Sequence, residues 1–81
     1  MTTIFKVVTR VSNIEDQVAY YASEENALNH VKNDYAAMET FSDGVNRTCT
    51  MSADRKRAVM VTSGKYSEMR ECFTLVITLK D

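Results

Sequence analysis

Alternation of apolar and polar residues predicts two strands near the start of the chain. Over TIFKVVTRV, residues 3–11, apolar side chains fall on both faces and β-branched residues are common, which favours a strand. Such a strand is expected in the middle of the sheet, or else with one face covered by a partner. The segment QVAYYA, residues 17–22, alternates more weakly and predicts a second strand. The polar residues at 12–16 suit a turn, so we expect these two strands to form a hairpin.

The spacing of apolar residues then changes to three or four positions, which predicts an amphipathic helix over residues 24–40. Ser23 followed by Glu24 and Glu25 is typical of a helix N-terminus, because the hydroxyl can cap free N–H groups and the helix dipole favours negative charge there. The apolar stripe consists of Ala27, Leu28, Val31, Tyr35 and Met38, with Phe41 as a candidate extension. Gly44 is expected to end the helix in a left-handed conformation.

Alternation returns after the helix and predicts three more strands, over residues 45–52, 57–63 and 70–79. The last strand has the clearest pattern, and we expect its more apolar face to pack against the stripe of the helix. That face consists of Phe73, Leu75, Ile77 and Leu79. The other sides of these strands carry threonines and are expected to be partly exposed to water: Thr48, Thr50, Thr74 and Thr78.

These elements, in the order β(β)αβββ, predict a single α+β domain over residues 1–81. One helix covers only one face of a four- or five-stranded sheet, so we expect a two-layer sandwich with a mostly antiparallel sheet. The other face is then left for solvent or for a partner. The last strand would be hazardous as an exposed edge, which makes self-association into a homo-oligomer a further expectation.

Composition favours a binding role over catalysis. The chain has 81 residues, of which 44% are hydrophobic and 26% charged, as in a folded soluble domain. A domain of this size has a modest core, and a deep substrate cavity would compete with that core for side chains. No common catalytic or phosphate-binding motif is present. We therefore predict no enzyme activity, no cofactor and no metal site.

The single histidine is the one residue that invites a catalytic interpretation. His30 and Asp34 are one turn apart on the predicted helix, as an oriented general base would require. A nucleophile would have to come from elsewhere, and a boundary histidine beside an acidic residue is far more common. We therefore expect His30 to be structural.

The absence of targeting signals favours a cytoplasmic location, where cysteines are kept reduced. Neither a basic leader followed by an apolar segment nor an apolar stretch of membrane-spanning length is found, so we expect no membrane association. Cys49 and Cys72 are predicted to be reduced thiols in the core, with a disulfide as the alternative.

Charge is unevenly distributed along the chain. Residues 1–40 carry three basic and six acidic residues, whereas residues 41–81 carry seven basic and five acidic ones. The basic triplet Arg55, Lys56 and Arg57 falls at the connection between two predicted strands, where a type I turn beginning near Asp54 would project it from a hairpin tip.

The triplet has two interpretations. The first is solvation of the tip and protection of strand ends. The second is contact with phosphate groups or with an acidic protein, in which case Arg47, Lys65 and Arg70 would enlarge the basic surface. Among the aromatic residues, Tyr20, Tyr21 and Tyr66 are candidates for an interface, since tyrosine buries apolar area and keeps a hydroxyl bonded.

The leading hypothesis is a small non-enzymatic module that binds a larger protein and inhibits or modulates it. In its small size and its lack of catalytic motifs, the chain resembles accessory proteins encoded by phages and mobile elements, although no motif ties it to a named family. The alternative is an RNA- or DNA-associated protein that uses the basic hairpin tip.

Overall fold

The computed structural model describes residues 2–42, 46–62 and 68–80. Five strands and one helix follow one another along these residues: β1 (Thr2–Val11), β2 (Gln17–Tyr21), α1 (Glu24–Phe41), β3 (Arg47–Met51), β4 (Arg57–Thr62) and β5 (Glu68–Leu79). The predicted α+β class and element order are confirmed, and so is the weakly patterned second strand.

The strands form one antiparallel sheet in the order β2-β1-β5-β4-β3. The two longest strands, β1 and β5, lie in the middle and pair from Thr2 opposite Leu79 to Val11 opposite Arg70. This agrees with the prediction that the first strand is central. The N-terminal end of β1 and the C-terminal end of β5 extend past their outer neighbours, because β2 pairs no further than Phe5 and β4 no further than Phe73.

Helix α1 begins as its sequence predicts and packs across all five strands. The Ser23 hydroxyl accepts a hydrogen bond of 3.1 Å from the Asn26 N–H, which caps the first turn. Three residues of the predicted stripe are buried: Ala27, Val31 and Met38. They lie over Val7, Ala58 and Cys72 of the sheet, and these six residues form the core.

Polar contacts attach the same helix to the same side of β5. The Arg70 guanidinium donates to the Asp34 carboxylate through Nη2 at 2.6 Å and Nε at 3.3 Å. Since side chains alternate along a strand, Arg70, Cys72 and Thr74 share the face that α1 covers.

The expected orientation of β5 is therefore wrong. Phe73, Leu75, Ile77 and Leu79 lie on the side of the sheet opposite α1, and Leu75 remains 48% exposed. The reason is that the helix packs closely over small side chains, Ala58 and Cys72, which allow short helix-to-sheet contacts. Hydrophobicity along β5 alone would instead predict that the larger residues, Phe73, Leu75, Ile77 and Leu79, pack against the helix.

Other expectations change with that orientation. Thr48 and Thr50 do lie on the side away from α1, but Thr74 and Thr78 lie on the helix side of the sheet. Phe41 does not extend the apolar stripe, since its side chain is 61% exposed at the end of α1. The predicted Gly44 helix end and Val45 lie outside the described residues.

Candidate protein interface

The side of the sheet opposite α1, called the open face below, carries most of the exposed large apolar side chains. Of the nine such side chains among the described residues, six lie on this face: Val18, Tyr20, Val61, Met69, Leu75 and Leu79. Their exposure ranges from 40% for Met69 to 62% for Tyr20. Isolated exposed apolar residues are ordinary, whereas a set gathered on one face is typical of an interaction surface.

One end of the open face is mostly apolar. There Ile4 lies directly opposite Ile77, and Leu75 and Leu79 stand on either side of Ile77 along β5. This end coincides with the part of β1 and β5 that extends beyond the neighbouring strands, so none of the other described strands shelters it.

The middle of the open face is covered by charged groups that neutralise one another. Glu71 lies opposite Arg10 and pairs with Arg57, and its side chain is only 6% exposed. Arg10 donates to Asp16 through Nε and Nη2 at 3.1–3.3 Å, and this hydrogen bond raises the pKa of the guanidinium. The Arg10 guanidinium also lies over the Phe73 ring, 5.6 Å from its centroid.

The hairpin tip between β3 and β4 forms where predicted and is closed by side-chain hydrogen bonds. The Asp54 carboxylate accepts from the Ser52 hydroxyl at 2.6 Å and from the Lys56 N–H at 3.0 Å, and these bonds lower its pKa. The Arg55 N–H bonds the Ser52 carbonyl at 3.0 Å, and Arg55 takes a positive φ of 61°.

This tip does not present its three basic residues as a cluster. Arg55 lies beside the first turns of α1, in a groove shared with Glu24 and Glu25. Lys56 lines a second groove, of about 520 Å³, together with Arg57, Glu71, Thr74 and Leu75. Arg57 is engaged by Glu71 on the open face.

The other predicted basic residues lie away from the tip. Arg47 is at the opposite end of β3 from the tip, where its Nη1 donates to the Phe41 carbonyl at 3.4 Å. Arg70 lies on the helix side and is held by Asp34, which raises its pKa. Lys65 and Tyr66 lie outside the described residues. The enlarged basic surface is therefore not assembled by the residues that the structure describes.

The two described candidate tyrosines point to opposite sides of the sheet. Tyr20 is exposed on the open face, whereas Tyr21 lies on the helix side and its hydroxyl is 2.8 Å from His30 Nδ1. The two rings meet edge to face. Since Asp34 bonds Arg70, the partner of His30 is a tyrosine hydroxyl and not the carboxylate that a general base would need.

A polar groove of about 480 Å³ borders the histidine. It is lined by Tyr21, Asn26, Asn29, His30, Asn33, Asp34 and Ala37. Among residues 2–42, 46–62 and 68–80, no three His, Cys, Asp or Glu side chains come close enough to hold a metal ion.

Both cysteines are free thiols with different environments. Cys72 is fully buried in the core, and burial raises its pKa to about 11 although the Thr9 hydroxyl points to its sulfur at 3.7 Å. Cys49 is half-buried against the same core.

Comparison of the chain with protein-family models, curated proteins and solved structures finds no match. The helix of the described part of the chain is not apolar enough to cross a membrane.

Sequence reasoning predicted that one face would be free, but it placed the wrong residues there. No signal along β5 alone identifies the free side, because both sides of this strand carry charge. Glu71 follows the same alternation as Phe73 and Leu75, whereas Glu68 and Arg70 follow that of Cys72 and Thr74.

Proposed function

We propose that this protein is a non-enzymatic binding module that docks its open face on a larger protein and thereby inhibits or modulates it. The observation that carries the proposal is the concentration of exposed apolar side chains on that face, opposite the single helix. Burial of such side chains is worth about 25 cal/mol per Å², so removing them from water is the available driving force for association.

The shape of the face favours a protein partner over a small molecule. The exposed apolar side chains come from three strands, β2, β5 and β4, and extend across the sheet from Val18 to Val61, on a broad surface and not in an enclosed cavity. Small ligands are mostly held in concave pockets that bury most of their surface. An aromatic and aliphatic centre with a polar surround is the usual anatomy of a protein interface.

The charges of the face favour an acidic partner. Lys6 lies between Ile4 and Val8 on the open face, and no ion pair involves it among the described residues. On the outer side of α1, by contrast, acidic residues prevail, with Glu24, Glu25 and Glu39 exposed. A partner with carboxylates around an apolar patch would thus be attracted to the open face and repelled by the helix layer.

Nucleic-acid binding has less support. Affinity for nucleic acid depends on several basic side chains that meet successive phosphates. At the hairpin tip, Arg55 lies apart from Lys56 and Arg57, which share a groove with Glu71, and Glu71 forms an ion pair with Arg57.

The experiment is affinity capture with matched variants. The parent protein, Leu75→Glu and Ala37→Glu would each be immobilised and exposed to extract of the native host. Leu75→Glu puts an acidic side chain on the open face, and Ala37→Glu puts the same side chain on the exposed surface of α1. Captured proteins would be identified by mass spectrometry, purified and titrated against each variant.

The proposal expects one purified protein that binds the parent and Ala37→Glu with equal affinity and binds Leu75→Glu at least tenfold more weakly. Lys6→Glu should weaken the same interaction. Equal binding by Leu75→Glu would remove the open face from the contact, and recovery of RNA or DNA alone would favour the nucleic-acid alternative.

A further inference from the structure

The edge of β5 beyond β4 has backbone hydrogen-bonding groups that point away from the sheet. The Thr74 N–H donates to the Lys56 carbonyl at 2.9 Å, so the backbone N–H and C=O groups of even-numbered β5 residues point toward the β4 side. On the other side, the Ser12 N–H donates to the carbonyl of Met69, an odd-numbered residue, at 3.1 Å. Because β4 pairs with β5 no further than Phe73, the N–H and C=O groups of Val76 and Thr78 face a free edge.

This edge lacks the features that normally keep exposed edges from pairing. Natural proteins protect edge strands with charged side chains, proline, bulges or a covering element. Residues 75–79, LVITL, contain no charged residue, no proline and no glycine, and they follow one another in regular strand pairing with β1. Helix α1 does not shelter this segment, since Val76 is 57% exposed although it lies on the helix side of the sheet.

We infer that a second copy of this chain pairs antiparallel along this edge, through Val76 and Thr78. The Thr74 N–H is already bonded, so the outward-facing groups available are those of Val76 and Thr78. A two-fold axis through Ile77 places Val76 of one copy opposite Thr78 of the other, and the two outward-facing residues of each copy then exchange backbone hydrogen bonds.

The side chains suit this pairing. In the same register Ile77 lies opposite its own counterpart and Leu75 lies opposite Leu79 of the second copy, so the apolar rows of the two open faces become continuous. No like charges oppose each other within residues 75–79. Two five-stranded sheets thereby join into one sheet of ten strands with a doubled binding face.

The pairing edge of β5 adjoins the open face and shares Leu75 and Leu79 with it, but the pairing can be tested without a partner protein. Thr78→Pro removes an N–H that points to the free edge and leaves the hydrogen bonds to β1 intact. Proline is tolerated at strand positions of this kind. Thr3→Pro is the matched control. Thr3 lies directly opposite Thr78, but its N–H points to the other side, beyond the end of β2.

The readout is molar mass from size-exclusion chromatography with light scattering, at about 100 μM protein because dimer populations depend on concentration. One chain has a mass of 9.2 kDa. The parent and Thr3→Pro are expected at twice that mass, and Thr78→Pro at the mass of a single chain with an unchanged circular dichroism spectrum. A monomeric parent, or a dimeric Thr78→Pro, would overturn the inference.

Cross-linking gives a second readout that does not depend on proline variants folding. Across an antiparallel pair without mutual hydrogen bonds, Cα atoms are about 4.5 Å apart, within disulfide range. Ile77→Cys should therefore form a covalent dimer on mild oxidation, whereas Leu75→Cys, which lies opposite Leu79 of the second copy, should not. Equal dimer yields from the two variants would contradict the register.

Discussion

The guanidinium carbon of Arg10 lies 5.6 Å from the centroid of the Phe73 ring, on the side of the sheet that α1 leaves uncovered. This stacking places Phe73 outside the core that the helix forms with Cys72, its neighbour along β5. It also places a cation at the boundary between the charged middle and the apolar end of the open face. The same contact therefore marks the uncovered side of β5 and the boundary between the charged and the apolar parts of that side.

Replacement of single basic residues at the hairpin tip should show which of them stabilises the fold and which is only exposed to water. Arg57→Ala removes the ion-pair partner of the buried Glu71 carboxylate. We therefore expect the free energy of unfolding to fall by about 1–3 kcal/mol. Lys56→Ala removes the neighbouring charge, which has no ion pair among the described residues, and should change stability by less than about 0.5 kcal/mol. Urea unfolding followed by circular dichroism measures both. Equal losses would show that Glu71 does not depend on Arg57.

The carboxylate at the hairpin tip should make stability depend on pH in the acid range. Hydrogen bonds from Ser52 and Lys56 hold the pKa of Asp54 below its ordinary value. Its stabilising effect is therefore fully present above the ordinary carboxyl pKa and is lost as pH falls through the lowered one. Asp54→Ala should be less stable than the parent at pH 7, and the difference should shrink in acid. A difference that stays constant down to pH 2 would contradict this assignment.

The buried thiol should resist alkylation in the folded protein. Burial raises the pKa of Cys72 to about 11, so very little thiolate exists at neutral pH, and the sulfur is also inaccessible. Iodoacetamide at pH 7.5 should modify Cys49 first and Cys72 only through unfolding. Peptide mass spectrometry over time distinguishes the two sites. Rapid modification of Cys72 without loss of structure would place it outside the core.

A hydroxyl on the helix side of β5 should be dispensable. Thr74 Oγ1 is buried, and no hydrogen-bond partner is found for it in the described part of the chain. Thr74→Val keeps the shape and removes the unpaired polar group, so a gain of about 1 kcal/mol is expected in thermal or urea unfolding. The control Thr78→Val, at an exposed site on the same side, should leave stability unchanged. A loss of stability in Thr74→Val would reveal a partner for the hydroxyl.

Much of the fold could be predicted because local signals and tertiary packing agree. The Ser23 cap, the stripe of Ala27, Val31 and Met38, and the alternation in β1 each specify an element without long-range information. The β5 orientation could not be found in this way. Its more apolar side faces away from the helix, and the choice depends on Ala58 of another strand, which lets the helix approach Cys72 closely.

The candidate site shows the same division. Sequence reasoning predicted a free face and singled out Tyr20, which the structure places on it. It could not predict that Arg57 would be neutralised by Glu71, since these residues meet only when β4 pairs with β5. Adjacency along the chain predicts one basic group at the tip, whereas the turn separates Arg55 from Lys56 and Arg57.

The most direct test of the account is the unfolding free energy of two charge insertions on β5. Leu75→Asp introduces a carboxylate on the open face, directly opposite Lys6, and should cost less than about 1 kcal/mol. Cys72→Asp introduces it beneath α1 and should cost about 3–5 kcal/mol or prevent folding. The reverse order, with Leu75→Asp the more damaging, would mean that the helix covers the other side of the sheet.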